Sequence, residues 1–381
     1  MRHRRTFSRG VALAAAIVLT TAGAAAAQAP VPGTTTPPAA TTPATTPPPS
    51  PSPSASASKP ASHADRRVTI TAVGDTMLGN TPQLPPAPYR YLSAVKDELA
   101  RGSDIRFLNL EGTLTNAGGG KCGGGNGGDC YAFRNPPSYA AVLHAAGFTV
   151  ANSANNHAND FGPAGLSDTS AALRGAGIAQ TGRAGQIAVV KAGKVRVAFV
   201  GFAPYPWASP LLDVAAARAL ITKAKRQADD VVVYLHAGAE GADKTHVGFG
   251  NELAFGENRG NPRAFAHMAI DAGANLVLGS GPHVLRGMEV YRHRLIAYSL
   301  GNFAGFRNFG SGGVLSRSAI LRVTLSASGR LYAGRVFPVT LDAGGRPSPG
   351  GASLPMISAL SHQDFGRAAV RLRPRGIIRV P

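Results

Sequence analysis

The amino-acid sequence predicts an α/β fold, a layered sandwich with some antiparallel strands, and three observations carry the prediction. Short β-branched or apolar runs alternate with Ala-rich stretches along most of the chain. Several of these runs are apolar at nearly every position, as strands buried on both faces must be. After Arg317 the pattern changes to alternating strands without intervening helices. The alternation implies βα units and a substantial parallel component in the sheet.

Taken in order, RVTITAV, IRFLNL, FTVANS, VRVAFVGF, DVVVYLH, ANLVLGS and RLIAYSL read as strands. Between them PPSYAAVLHAAG, GPAGLSDTSAALRGAG, VAAARALITKAKRQA and NPRAFAHMAIDAG read as helices, with Gly147, Gly177 and Gly273 as C-terminal stops. The segment SAILRVTLSASGRLYAGRVFPVTL reads as an antiparallel hairpin or meander. His144 and His267 fall inside helical patterns and are expected to be structural.

Three segments are expected along the 381 residues. Residues 1–29 carry four arginines in MRHRRTFSRG followed by the apolar VALAAAIVLTTAGAAAA, the charged and apolar regions of a secretory signal. An uncleaved anchor is the alternative; the run is short for a bilayer and Ala-rich. The protein is therefore expected to be secreted or envelope-associated, outside the cytoplasm. Residues 30–66, rich in Pro, Thr, Ser and Ala, bury too little apolar surface to offset chain entropy and read as a disordered tether. Residues 67–381 read as the folded domain.

Thirty-nine Lys and Arg against twenty Asp and Glu give a formal net charge of +19, which favours anionic partners. No dense basic block with interleaved aromatics occurs, so specific nucleic-acid binding is not expected. The C-terminal RAAVRLRPRGIIRV concentrates Arg367, Arg371, Arg373, Arg375 and Arg379, a docking edge for an anionic polymer or a solvated edge. The two cysteines, Cys122 and Cys130, bracket a Gly-rich loop and suit a disulfide in an oxidising compartment. A thiolate half-site for metal lacks a second pair.

Polar residues recur just past predicted strand ends: Asp75, Asn109 with Glu111, Asn155 with Asn156 and His157, His236 with Glu240, His283, and Asn302. In open α/β sheets those ends face one crevice, so distant residues converge. Carboxylates, amide oxygens and imidazoles together form a donor set for a hard or borderline divalent cation. Singly, each has an ordinary explanation as a helix cap, turn residue or core histidine. Arg134 and Arg286 are candidates to hold an anionic group, as bidentate guanidinium contacts do.

The motifs VGDTMLG, NLEGTLT, SANNHANDFG, LHAGAE, GSGPHVLRGMEVY and AYSLGNF resemble, in order, those of the CapA family of bacterial capsule or poly-γ-glutamate synthesis proteins, over about Val68 to Phe303. CapA domains are similar to calcineurin-like metallophosphoesterases, so the resemblance implies a four-layer α/β/β/α sandwich holding divalent metal, Mn, Mg or Zn. It implies that Asp75 binds the first metal, Glu111 bridges, Asn156 and His236 bind the second, and His283 completes the set. It gives His157 the place of a proton donor near the leaving group. Met77 and Gly281 stand where the superfamily has two imidazoles, and Glu240 and His246 are the nearby substitutes.

These readings lead to an exported protein of capsule or poly-γ-glutamate synthesis. It is expected to act on an anionic polymer or phosphoester, with membrane-bound synthesis proteins as partners. The competing reading is a scaffold that binds polymer without catalysis; a third is hydrolysis of an amide bond in a polyglutamate.

Overall fold

The computed structural model describes residues 66–123, 130–308, 310 and 312–380. The leader, and the tether up to its last residue, lie outside the described residues.

Two mixed sheets form the framework. The first contains the strand Val68–Met77 at its centre, with Ile105–Leu110, Val150–Asn152 and Ala179–Thr181 following in parallel on one side. On the other side Arg317–Leu325 and Leu331–Leu341 run antiparallel, and a short hairpin of Arg371–Arg373 and Ile377–Arg379 forms the edge. The second sheet places Val195–Ala203, Asp230–His236, Leu276–Ser280 and Arg294–Ala297 in parallel, with antiparallel Ala188–Ala192 and Met288–Tyr291 at its borders.

Side-chain alternation explains the layering. In Asp230–His236, Val232 and Tyr234 face the first sheet and pack with Ile70, Phe107 and Val150. Val231, Val233 and Leu235 face the other way, onto Ala217, Ile221, Phe265 and Ala269 of the helices Val214–Gln227 and Pro262–Asp271. The outer face of the first sheet, including Val73, Leu108 and Leu110, packs on Tyr139, Leu143 and Leu173 of the helices Tyr139–Ala145 and Gly162–Gly175. A strand buried on both faces needs apolar residues at every position, which is why these runs lack a two-residue alternation. The outcome is a four-layer α/β/β/α sandwich.

The anticipated strands and helices are present, and the C-terminal strands are antiparallel. Several elements go beyond the sequence reading, among them the helix Ser353–Phe365, the edge hairpin after it, and the short strands Ala179–Thr181, Ala188–Ala192, Met288–Tyr291 and Asn302–Gly305. Register brings the polar strand ends into line. Asp75 pairs with both Asn109 and Asn302, Asn109 with Asn152, and His236 with Ser280 in the second sheet. Gly74 permits a close crossing here, since a Cβ on it would stand 1.9 Å from the Gly301 carbonyl oxygen.

Candidate functional site

Asp75 is fully buried, and both sheets converge on it. From the first sheet, Asn109 donates through Nδ2 to Asp75 Oδ1 at 2.9 Å. From the second, the Ser280 hydroxyl donates to the same oxygen, and His283 Nδ1 lies 3.1 Å from Oδ2. Ser280 also pairs with the Tyr234 hydroxyl. Asparagines secure the floor: Asn152 and Asn155 donate to Asn109 Oδ1 at 2.8 and 3.1 Å, and Asn155 also donates to the Leu110 carbonyl at 2.8 Å.

Glu111 follows at the end of the next strand and is also fully buried. Neither carboxylate oxygen has a hydrogen-bond partner. Around it stand His236 Nε2, 3.6 Å from Oε1, and His283 Nε2, 3.8 Å from Oε1. Asn156 Oδ1 lies 3.0 Å from His236 Nε2. His283 Nδ1 is 2.9 Å from Asn302 Oδ1, and its Nε2 is 3.6 Å from Glu240 Oε2.

The electrostatics follow from this crowding. Burial pushes Asp75 up, but hydrogen bonding to His283, the charges of His283 and His236, and the Ser280 hydroxyl outweigh it and hold the carboxyl at about 2. Burial drives Glu111 well above the ordinary carboxylate range, and the adjacent Asp75 charge drives it further. Burial also depresses His236, to about 3, against the attraction of Asp75. Burial opposes the charged form of His283 as well, yet Glu111, Asp75 and Glu240 together hold it protonated up to about 10.

A cation fits this arrangement. Ligand atoms of Asp75, Glu111 and His236 all lie within 4.8 Å of one another. A buried carboxyl group with neither oxygen hydrogen-bonded is costly to a fold when ionised, and a bound cation would offset that cost more directly than His283, whose Nε2 stands 3.8 Å away. The donors are oxygen and imidazole nitrogen, with no sulfur, which suits Mg²⁺, Mn²⁺ or Zn²⁺.

His157 lies beside this group. Its Nδ1 is 2.8 Å from Asp160 Oδ2, and Asp160 is in turn held by the Phe133 backbone N–H at 2.7 Å and by Lys121 Nζ at 2.7 Å. Its backbone N–H donates to Asn155 Oδ1 at 3.1 Å, and its ring packs on Phe133 with centroids 4.5 Å apart. Burial lowers the His157 pKa, partly opposed by Asp160. The neutral ring thus keeps its proton on Nδ1, facing the carboxylate, and leaves Nε2 available for chemistry.

Not every sequence-derived candidate joins the group. Arg286, expected to hold an anion, is a correction: it is buried, with Nη2 and Nη1 2.7 and 2.9 Å from Glu252 and Nε 2.8 Å from the Lys244 carbonyl. A guanidinium so committed offers no free fork to a substrate. Arg134 is half-buried; it donates to the Ala117 carbonyl, stacks over Phe161, and borders a cavity of about 340 Å³ with Asn80, Cys122 and Ala132. Glu240 pairs with Arg259 while approaching His283. His246 is engaged elsewhere, 2.7 Å from Asp364. Cys122 and Cys130 form a disulfide, with Cα atoms 5.7 Å apart, next to Lys121. His267 is structural, stacked on Tyr291 and 2.9 Å from Glu289.

Sequence reasoning missed Asp160, Lys121, Ser280 and Asn152 as members of the site. Asp160 had a signal, since it stands three residues after His157 inside NHAND; the others act through register and tertiary contact. Gly281, at a position where the resemblance led to the expectation of an imidazole, has its own physical reason. Its φ of +116° lies where side chains are disfavoured, and a Cβ would stand 3.2 Å from His236 Nε2. Packing of the His236 ring thus takes the space that a side chain at 281 would need.

Comparison with known proteins places the chain. It is 33% identical over 207 residues to the PGA biosynthesis protein CapA of Bacillus subtilis (strain 168), covering 49% of this chain and 50% of that protein. It is 32% identical over 266 residues to a probable polyglutamine synthesis accessory protein of Mycobacterium tuberculosis (strain CDC 1551 / Oshkosh), covering 63% of this chain and 67% of that one. The chain thus spans about half the length of the Bacillus relative. Among solved structures it is similar to a putative 5'-nucleotidase from Staphylococcus aureus, with TM-score 0.39 and 14% identity over 75% of this chain and 53% of that one. The family described as bacterial capsule synthesis protein PGA_cap matches residues 69–306, more than half of the sequence, and the chain belongs to that family.

Proposed function

We propose that the chain is an exported CapA-type protein whose buried pocket binds a divalent cation and acts on an anionic polymer or a phosphoester during capsule or poly-γ-glutamate synthesis. The observation that carries the reading is Glu111, buried with both oxygens unpartnered beside Asp75 and His236. Export is supported by the Arg-rich leader pattern and by the disulfide. Membrane-bound synthesis proteins are the expected partners.

On this reading Asp75, Glu111, Asn156 and His236 would hold the cation, and His283, fixed by Asn302, would join them on giving up the proton that its carboxylate neighbours hold on it. A divalent ion held there would supply positive charge to an anionic ester and lower the pKa of a bound water. Asp160 fixes the His157 tautomer, so that Nε2 faces the reacting group and can receive or return a proton there. The asparagine floor and Ser280 keep Asp75 ionised and immobile, which limits reorganisation during reaction. Met77 and Gly281 favour the second reading, a polymer-binding scaffold without turnover, because two imidazole donors are absent.

Calorimetric titration with Mn²⁺, paired with hydrolysis of bis-p-nitrophenyl phosphate by wild type and Asp75→Asn, separates the readings. Saturable binding with turnover lost in the variant supports the enzyme. Binding without turnover supports the scaffold, and absence of both removes the metal reading.

A further inference from the structure

The free edge of the first sheet carries an arrangement that strand pairing alone disfavours. Reading across the strands, Thr71 pairs with Arg322, Arg322 with Arg335, Arg335 with Ile377, and Ile377 with Arg373. One step further along the hairpin Arg371 pairs with Arg379. Directly paired residues share a face, and residues two apart on a strand share it too. Arg322, Arg335, Arg371, Arg373 and Arg379 therefore all project from one side.

That side is the outer one. The intervening Leu372 and Ile378 pack into the core between the sheets, whereas Arg322 and Arg335 both stack over Phe337, at 4.7 and 4.5 Å from its centroid, on the opposite face. Arg322 is anchored by Thr71 Oγ1 at 3.2 Å and by the Glu98 carbonyl. Arg335 donates to the Arg375 carbonyl at 3.0 Å. Arg335, Arg371, Arg373 and Arg379 are exposed.

Like charges directly opposite each other on paired strands destabilise a sheet. Here two such pairs occur side by side, Arg322 with Arg335 and Arg371 with Arg379. Among the described residues, arginine ion pairs involve Arg101, Arg196, Arg259, Arg286 and Arg292, and none of these five. The backbone positions that carry these arginines recur about 7 Å apart along a strand and about 5 Å apart between neighbouring strands. A linear chain with closely repeated carboxylates matches such a field. A single small anion uses only a fraction of it.

We propose that this arginine face is a docking strip for a polycarboxylate chain, separate from the metal pocket. Long-range attraction recruits the polymer, and the bidentate guanidinium groups hold successive carboxylates. The proposal rests on the reading above that the chain handles an anionic polymer, and it adds where that polymer is held.

The test uses the full chain and poly-γ-glutamate of defined length, with binding followed by fluorescence anisotropy between about 0.05 and 0.2 M salt. The strip variant combines Arg335→Gln, Arg373→Gln and Arg379→Gln. A control of equal charge change combines Arg218→Gln, Lys223→Gln and Arg226→Gln, exposed positions on the helix Val214–Gln227. The strip variant should bind more than about tenfold more weakly and lose about 2 from the log–log salt slope, as expected for three contacts to a flexible polyanion. The control should stay within about twofold of wild type.

Equal losses in both variants would show that net charge alone acts, and would overturn the strip. Unchanged binding by the strip variant would overturn it while leaving the polymer reading in place. No binding by wild type would remove both. Mn²⁺ affinity and thermal melting of each variant verify that the pocket and the fold are retained.

Discussion

Replacing Glu111 with Gln should change stability in opposite directions with and without metal. In the metal-free protein, wild type buries a carboxylate whose two oxygens are unpartnered and which lies beside Asp75. An unsatisfied buried polar group costs about 1–3 kcal/mol. The Gln side chain is nearly isosteric and neutral, and it offers Asp75 a donor. In EDTA the variant should therefore be more stable by about 1–3 kcal/mol, or about 2 °C in melting temperature per kcal/mol. The gain should depend on pH. A carboxyl that the fold holds protonated contributes fully below its ordinary value of 4.5, and that contribution is lost as pH rises through its elevated folded value. The advantage of the variant should accordingly vanish near pH 4 and grow above it.

Metal should reverse the order. At a hundred times its dissociation constant, an ion that binds only the folded state adds about 2.7 kcal/mol. Wild type should gain that in Mn²⁺, and the variant should gain little. The assay is thermal melting followed by circular dichroism, in EDTA and in a Mn²⁺ series, at pH 4 and pH 7.5. A variant less stable than wild type in EDTA, or equal stabilisation of both proteins by Mn²⁺, would refute the reasoning.

Three further predictions concern other parts of the molecule. Arg286→Met should cost about 1–3 kcal/mol by leaving the half-buried Glu252 without its guanidinium partner; a stable variant with weakened substrate binding would return Arg286 to the substrate site. Asp160→Asn should lower phosphodiester turnover about 10- to 100-fold with Mn²⁺ affinity unchanged. Loss of the Asp160 charge should also move the His157 limb of the pH profile downward, and an unmoved limb would detach Asp160 from His157. Burial holds Asp230 up at about 6 against an ordinary 3.8, so its cost to stability appears as pH rises between those values. Asp230→Asn should thus stabilise the protein by about 2–3 kcal/mol at pH 8 and leave it unchanged at pH 3.5; equal effects at both values would exclude the titration of Asp230 as the cause.

The framework was legible because its strands obey a simple burial rule. Val231 to Leu235 face apolar layers on both sides, so the run itself announces a central strand. Convergence of Asp75, Glu111, His236 and His283 was legible too, since each follows such a strand and parallel strands share an end. Other features were hidden for physical reasons. Arg286 looked like an anion binder because its partner, Glu252, stands 34 residues away and pairing leaves no local signature. Ser280 matters through a hydrogen bond to Asp75 across 205 positions. The helix Ser353–Phe365 begins Ser-Leu-Pro and has polar residues interspersed, so its sequence shows little amphipathic pattern; Ile357 and Leu360 acquire meaning only against the sheets. In the C-terminal tail the arginines were visible, but their common face depends on strand register.

On the proposed reading Asp75, Glu111 and His236 jointly hold a cation, and anomalous diffraction from crystals grown with Mn²⁺ would locate it. The expected result is a peak about 2.0–2.3 Å from a carboxylate oxygen of Asp75, one of Glu111 and a ring nitrogen of His236. Saturating Mn²⁺ with density only at surface carboxylates, and Glu111 still without a partner, would contradict it.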